Sequence, residues 1–226
     1  MAFPTTPVIT NFTGADEAPL VEGGLFAGQP IRTTINPSQM RRVGNQAAPA
    51  TSGFSTSESY IDDFTAMDTE VYGTVATLPT NNTDWINLFA RIQNPHTTSV
   101  DFYQFEWVLN TGGLDSWDCY RCTNEAFTLL GTWGTRDLVA GEKVGFEVTG
   151  SNPVVLRAFV YNGSSWSQVG SDINDSSANR IDSAGYIGFG AMRNNSVMRW
   201  DDLGGGEIVI PPVAGSYKNL LTLGAG

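Results

Sequence analysis

The chain has 226 residues, 41% apolar, 11% aromatic and only 15% charged, with 25 Gly and 11 Pro. A chain of this length buries a substantial core without staples and fits one domain. Its formal net charge of −11 repels nucleic acid and anionic membrane surfaces, so neither is expected as a partner.

From the N-terminus, Met-Ala-Phe-Pro-Thr-Thr-Pro carries no basic segment and no apolar run, so no secretory leader is expected. Val8-Ile-Thr-Asn-Phe reads as a first strand. Residues 13–38 are rich in Pro, Gly and Thr with weak alternation, which predicts a long surface loop or arm. Period-two alternation then recurs, with almost no helical periodicity. Short strands are predicted at Met40–Val43, Glu70–Thr77, Trp85–Ile92, Phe102–Val108, Asp118–Thr123 and Phe127–Gly131. Others follow at Lys143–Thr149, Val154–Tyr161, Ser165–Val169, Gly185–Phe189 and Val197–Asp202. Asn162-Gly163 between two of them marks a hairpin.

The alternation assigns faces. Val71, Gly73 and Val75 turn one way, as do Ile86, Leu88, Ala90 and Ile92, then Tyr103, Phe105 and Trp107, and Val144, Phe146 and Val148. About a dozen such strands predict two packed antiparallel sheets, all-β, because parallel βαβ units would need crossover helices. A beginning and an end that both read as strands predict a sandwich closed by its own termini. The glycine run Gly204–Gly206 reads as a flexible joint after a domain spanning 1–206. An extended tail, 207–226, follows it. There Pro211 and Pro212 stiffen the backbone, and Tyr217, Leu220, Leu221 and Leu223 offer apolar contacts for assembly.

Cys119 and Cys122 lie in a strand-like context with one histidine, His96, in the whole chain. Structural thiols are expected there, ahead of a local disulfide or half a zinc site. Asp84, Asp101 and Asp115 sit where loops could serve calcium, but no contiguous ligand pattern supports it, and no cofactor is expected.

Several segments together resemble one family. They are Asn11-Phe-Thr-Gly-Ala-Asp, Met40-Arg-Arg-Val-Gly-Asn-Gln-Ala-Ala, Glu70-Val-Tyr-Gly-Thr-Val-Ala-Thr-Leu-Pro and Leu88-Phe-Ala-Arg-Ile-Gln-Asn-Pro. Val139-Ala-Gly-Glu-Lys-Val-Gly-Phe-Glu-Val-Thr-Gly, Ala184-Gly-Tyr-Ile-Gly-Phe and Arg199-Trp-Asp-Asp-Leu-Gly-Gly-Gly complete the set. Over about residues 8–206 the pattern is similar to the concanavalin A-like (laminin-G-like) jelly roll of tailed-bacteriophage virion proteins. The resemblance implies a two-sheet sandwich with one concave sheet, in a structural, decoration or host-adsorption role.

On that basis the expected protein is a non-enzymatic virion component, a head decoration or tail-surface protein held by its terminal arms. It would be made in the host cytoplasm, with capsid or tail proteins and copies of itself as partners. The alternative is a host-adsorption module that binds a surface glycan through an outward row of Tyr72, Trp85, Phe89, Arg91, Gln104 and Glu106, a row that the 13–38 stretch, the tail or another subunit could instead cover. The third reading is an atypical glycoside hydrolase. Such chemistry needs two carboxylates flanking the scissile bond. The laminarinase-type signature Glu-x-Asp-x-x-Glu is absent, Asp68-Thr-Glu70 being the nearest approach. Asp62-Asp63 and Asp201-Asp202 are adjacent pairs whose side chains diverge on a strand. Glu106 and Glu147 read as solvated strand positions.

Overall fold

Alternating residues build fourteen strands in a computed structural model that describes residues 3–33, 38–50, 56–192 and 197–208. In chain order they are β1 (Val8–Thr10), β2 (Ser38–Val43), β3 (Gln46–Pro49), β4 (Thr56–Tyr60), β5 (Thr69–Thr77), β6 (Trp85–Gln93) and β7 (Asp101–Val108). Then come β8 (Ser116–Thr123), β9 (Ala126–Thr135), β10 (Lys143–Thr149), β11 (Val154–Tyr161), β12 (Trp166–Asp175), β13 (Tyr186–Met192) and β14 (Arg199–Glu207). Among the described residues no helix is long and apolar enough to cross a membrane.

One sheet runs β12-β11-β10-β5-β14-β3-β2, with β1 on β14; the other runs β4-β13-β6-β7-β8-β9. β2 belongs to both, antiparallel to β3 and parallel to β4, so the sheets join at one edge. They face each other across a core that takes Val71 and Phe146 from one side and Leu88, Phe105 and Trp107 from the other. This is a two-sheet, almost wholly antiparallel jelly-roll sandwich. Inward residues of both sheets interdigitate, which leaves the outer faces to other segments and to solvent.

The open edges also approach each other. Gly170 of β12 has φ 63°, and a Cβ there would lie 2.2 Å from the Trp133 carbonyl oxygen of β9. Only glycine tolerates both the left-handed backbone and that contact. The termini close the slab as well, Val8 pairing with Gly204 and Thr10 with Leu203.

Several segments depart from the sequence expectation. β3 and β4 lack the alternation that reveals a strand. Thr56-Ser-Glu-Ser-Tyr is nonetheless buried throughout, because the small Ser57 and Ser59 face the core and Glu58 has a cationic partner. Gly204–Gly206 is no joint: it continues β14, opposite Tyr72, Val71 and Glu70 of β5. Glycine is required there by close approach, since a Cβ on Gly204 would lie 2.2 Å from the Tyr72 ring. The strand therefore runs past the expected domain end at 206, and the Ile208 N–H still donates to the Asp68 carbonyl at 2.9 Å. The assembly residues Pro211, Pro212, Tyr217, Leu220, Leu221 and Leu223 lie outside the described residues.

The weakly patterned stretch from residue 13 is an arm that docks on its own sandwich. Glu17 bridges to Arg42 and Phe26 to Ile61. Leu20, Phe26 and Ile31 are all buried.

Candidate functional site

The outer face of the β4-β13-β6-β7-β8-β9 sheet carries the best-formed polar and aromatic cluster. Alternation places Trp85, Asn87 and Phe89 of β6 on that face, with Phe102, Gln104 and Glu106 of β7 and Asp118, Tyr120 and Cys122 of β8. Register aligns them in rows. Asn87 faces Glu106, which faces Asp118; Phe89 faces Gln104, which faces Tyr120. β9 adds Phe127 opposite Cys122 and Leu129 opposite Tyr120.

The arm covers half of this face. Its Ile31 packs with Tyr60, Phe89, Ile92, Val100, Phe102 and Cys122 in a small apolar cluster. Gly188 of β13 makes room for it, since a Cβ there would lie 3.2 Å from Ile31, and Gly190 makes room for the Phe89 ring, 3.2 Å from where its Cβ would be. Next in the chain, Arg32 forms a buried ion pair with Glu58. The Arg32 Nε donates to Glu58 Oε1 at 2.7 Å, its backbone N–H to Oε2 at 3.2 Å, and a terminal nitrogen to Thr56 Oγ1 at 2.8 Å. Burial disfavours the guanidinium charge, and Glu58 outweighs that penalty, so its pKa stands above the ordinary value. The same guanidinium lies 5.1 Å from the centroid of the Phe127 ring, within cation–π range.

Where the arm ends its crossing, a shallow depression of about 220 Å³ stays open, lined by Arg32, Trp85, Gln104, Glu106, Tyr120 and Phe127. Phe127 is 39% exposed and meets Tyr120 edge-on at 6.2 Å. Glu106 forms the polar floor. Asn87 Nδ2 and Gln104 Nε2 both donate to its Oε2, at 3.2 and 2.7 Å. Burial pushes its carboxyl up to about 7, against the two amides and Arg32, and Asp118 adds to the rise. Aromatic walls over a hydrogen-bonding floor are the arrangement that holds a small polar ring: faces stack on C–H groups and the floor meets hydroxyls.

The expected row is therefore divided. Trp85, Gln104 and Glu106 come together at the depression. Phe89 shares their face but is fully buried under the arm, the covering weighed from sequence. Tyr72 sits on the other sheet. Its hydroxyl donates to the Thr6 carbonyl at 2.8 Å, its ring packs against Phe3 and Trp166, and burial pushes its pKa to about 12. Arg91 leaves the face through a bulge: its φ is 51° and the β6–β7 register shifts between Ala90 and Gln93. Its buried guanidinium donates to the carbonyls of Met67 and Ile181, both at 2.7 Å. The same bulge turns Ile92 from the core to the outer cluster.

Tyr120 and Phe127 also line the depression; the sequence places them in two expected strands, Asp118–Thr123 and Phe127–Gly131, whose faces its pattern does not assign. Arg32 gave no sequence signal, because it reaches the site from an irregular segment.

The remaining acids have structural duties. Of the two acids expected to be solvated, Glu106 is half-buried in the floor of the depression and Glu147 is buried and pairs with Arg157; Glu70 is buried too, accepting from the backbone N–H groups of Thr5 and Thr6 at 2.6 Å each. Asp84, Asp101 and Asp115 accept backbone N–H bonds from Asn81, Asn124 and Asn110. Among the described residues no group of three or more His, Cys, Asp or Glu could hold a metal ion. The two thiols lie on opposite faces of β8, Cys119 in the core and Cys122 under the arm, both free.

No protein-family model matches the sequence, and no curated protein is similar to it. Solved structures do match the fold. The Emp46p carbohydrate recognition domain, potassium-bound, aligns with a TM-score of 0.51 at 8% identity, over 76% of this chain and 87% of that one. The VIP36 exoplasmic/lumenal domain, in its Ca2+/Man3GlcNAc-bound form, aligns with a TM-score of 0.50 at 8% identity, over 78% and 84%. The GH43 protein BlXynB of Bacillus licheniformis aligns at 0.49 and 8% identity over 74% of this chain, which spans only 34% of that protein. At these identities the likeness is one of fold: the chain has the concanavalin A-like, legume-lectin-like sandwich.

Proposed function

We propose that the protein is a non-enzymatic glycan-binding module whose site is the depression over Glu106. The observation that carries this is the convergence of Trp85, Tyr120 and Phe127 around a floor of Gln104 and Glu106 on the outer face of the sheet. Two comparison domains of the same fold are, by their names, a carbohydrate recognition domain and a domain bound to Man3GlcNAc. Binding a sugar on this face rests on stacking and hydrogen bonds, with no covalent step.

A hydrolytic role has less support. Glu106 and Asp118 are direct partners on neighbouring strands, so both approach a bound ring from one side. Glycoside hydrolysis sets its two carboxyl groups on either side of the scissile bond. The other candidate acid, Glu70, is closed over by Thr5 and Thr6.

In the virion setting implied by the family resemblance, such a module would serve adsorption to a host surface glycan. The chain would be carried among other virion proteins. A glycan array probed with the wild-type chain and with Trp85→Ala tests the reading. Binding that disappears in the variant supports it, and an array on which no sugar binds overturns it. Co-purification with particles at fixed stoichiometry tests the setting separately.

A further inference from the structure

We propose that the depression selects sugars carrying an ammonium group over carboxylated sugars, with Glu106 as the group that meets the ammonium. This rests on the glycan-binding reading and names the ligand class for the same site.

Three observations support it. First, the carboxyl of Glu106 presents one oxygen to the depression. Both amide donors converge on Oε2, and among the described residues nothing hydrogen-bonds Oε1. Second, this carboxylate is only partly compensated: Arg32 favours its charged form, yet burial outweighs that. Arg32, the one base lining the depression, is committed to Glu58 and Thr56. The groups facing Glu106 from the neighbouring strands are Asn87 on β6 and Asp118 on β8, with Tyr120 beside Asp118. Asp118 accepts from Ser116 and Thr132, so it too lacks a cationic partner there. With Arg32 and Glu58 cancelling, the open face carries an acidic surplus of Glu106 and Asp118. Third, the walls are aromatic, and aromatic faces attract ammonium groups as well as sugar rings.

An ammonium placed over Oε1 supplies the partner that burial denies this carboxylate, and it recovers the ionised form. A uronate at the same place meets Glu106 and Asp118 with like charge. A neutral sugar meets neither that gain nor that repulsion and relies on stacking and hydrogen bonds to its hydroxyls.

The test titrates the intact chain with three disaccharides: of glucosamine, of N-acetylglucosamine and of a uronic acid. The expected order is glucosamine tightest, by about fivefold over the acetylated sugar, with the uronate weakest. Glu106→Gln is expected to erase the preference for the ammonium sugar over the acetylated one. Asp63→Asn, an exposed acid away from the face, is expected to change nothing, which separates the site from general attraction to an acidic protein. A glucosamine disaccharide made permanently cationic by quaternisation provides a second readout. Its affinity is expected to rise several-fold between pH 6 and pH 8 in the wild type, since Glu106 titrates at about 7. If Glu106→Gln fails to fold, that pH series decides. A flat series, equal affinities for the three sugars, or a preference that survives in Glu106→Gln overturns the inference. Neutral-sugar binding without the preference leaves the glycan-binding reading standing, whereas an empty glycan array removes both.

Discussion

Arg32 and Glu58 pair across the outer face of the second sheet, joining an irregular arm to a polar strand, and both side chains are almost fully buried. The pair holds the arm beside the depression, which Arg32 lines. Removing one partner leaves an uncompensated buried charge, which costs about 3–5 kcal/mol. Arg32→Ala is expected to lower the unfolding free energy by roughly that amount in a denaturant titration. Arg32→Met with Glu58→Gln is expected to restore much of the loss, because no lone charge remains.

On the glycan-binding proposal, aromatic residues of one face are expected to divide into binders and supports. Trp85→Ala and Phe127→Ala are expected to weaken glycan binding about tenfold while changing stability by less than about 1 kcal/mol. Phe89→Ala is expected to do the reverse first. Phe89 is fully buried and its ring meets Phe102 edge-on at 5.2 Å, so truncation costs about 3–5 kcal/mol. Thermal unfolding beside a binding titration separates the two outcomes.

Glu106 gives stability a pH dependence. Its folded pKa of about 7 lies above the ordinary 4.5, so the folded state holds the proton more tightly than the unfolded chain. Stability contributed by this group is fully present below about pH 4.5, falls as pH rises towards 7, and is lost above it. Discounted for the group's partial exposure, the loss is about 2 kcal/mol. Glu106→Gln is expected to flatten the curve across that window, measured by chemical denaturation at pH 5, 6, 7 and 8. An unchanged slope in the variant would assign the dependence to other groups.

The seam between β9 and β12 is expected to be intolerant of side chains. Gly170→Ala forces a Cβ against the Trp133 carbonyl at a positive φ. A loss of about 2 kcal/mol or more is expected, with faster amide exchange in both edge strands. Gly163→Ala, a turn glycine at φ 95° with open space around it, is expected to cost only about 1 kcal/mol of backbone strain.

Neither thiol is expected to react with an aromatic disulfide reagent in the folded protein. Burial pushes Cys119 well up and Cys122 to about 12, so the nucleophilic thiolate is scarce. Both are expected to react on unfolding. Rapid native reaction of Cys122 would show that the arm opens.

The elements legible in the sequence were those whose side chains alternate strongly. Val71 and Val75, Ile86, Leu88 and Ala90, and Tyr103, Phe105 and Trp107 all face the core as their spacing predicts. The meeting of the first and last strands was legible too, from two apolar ends that each read as a strand. β4 escaped because its serines are small enough to be buried without looking apolar. The glycine run was taken for a joint because its reason lies on another strand, in the ring of Tyr72. Of the expected outward row, Trp85, Gln104 and Glu106 line one depression. Arg91 was lost to a bulge, a one-residue insertion that the pattern of residue types does not record.

By itself the sequence determined the all-β class, the inward face of most long strands, and a net charge of −11. Period two and net charge are local or additive properties, readable without knowing which segments meet. Only the tertiary structure decided which outer residues form a site. That outcome depends on contacts between segments far apart in the chain: Arg32 reaching Glu58, Ile31 covering Phe89, and β8 and β9 bringing Tyr120 and Phe127 beside Glu106. Burial by a distant arm, not the identity of the residue, closed over Phe89 and left Trp85 lining an open depression.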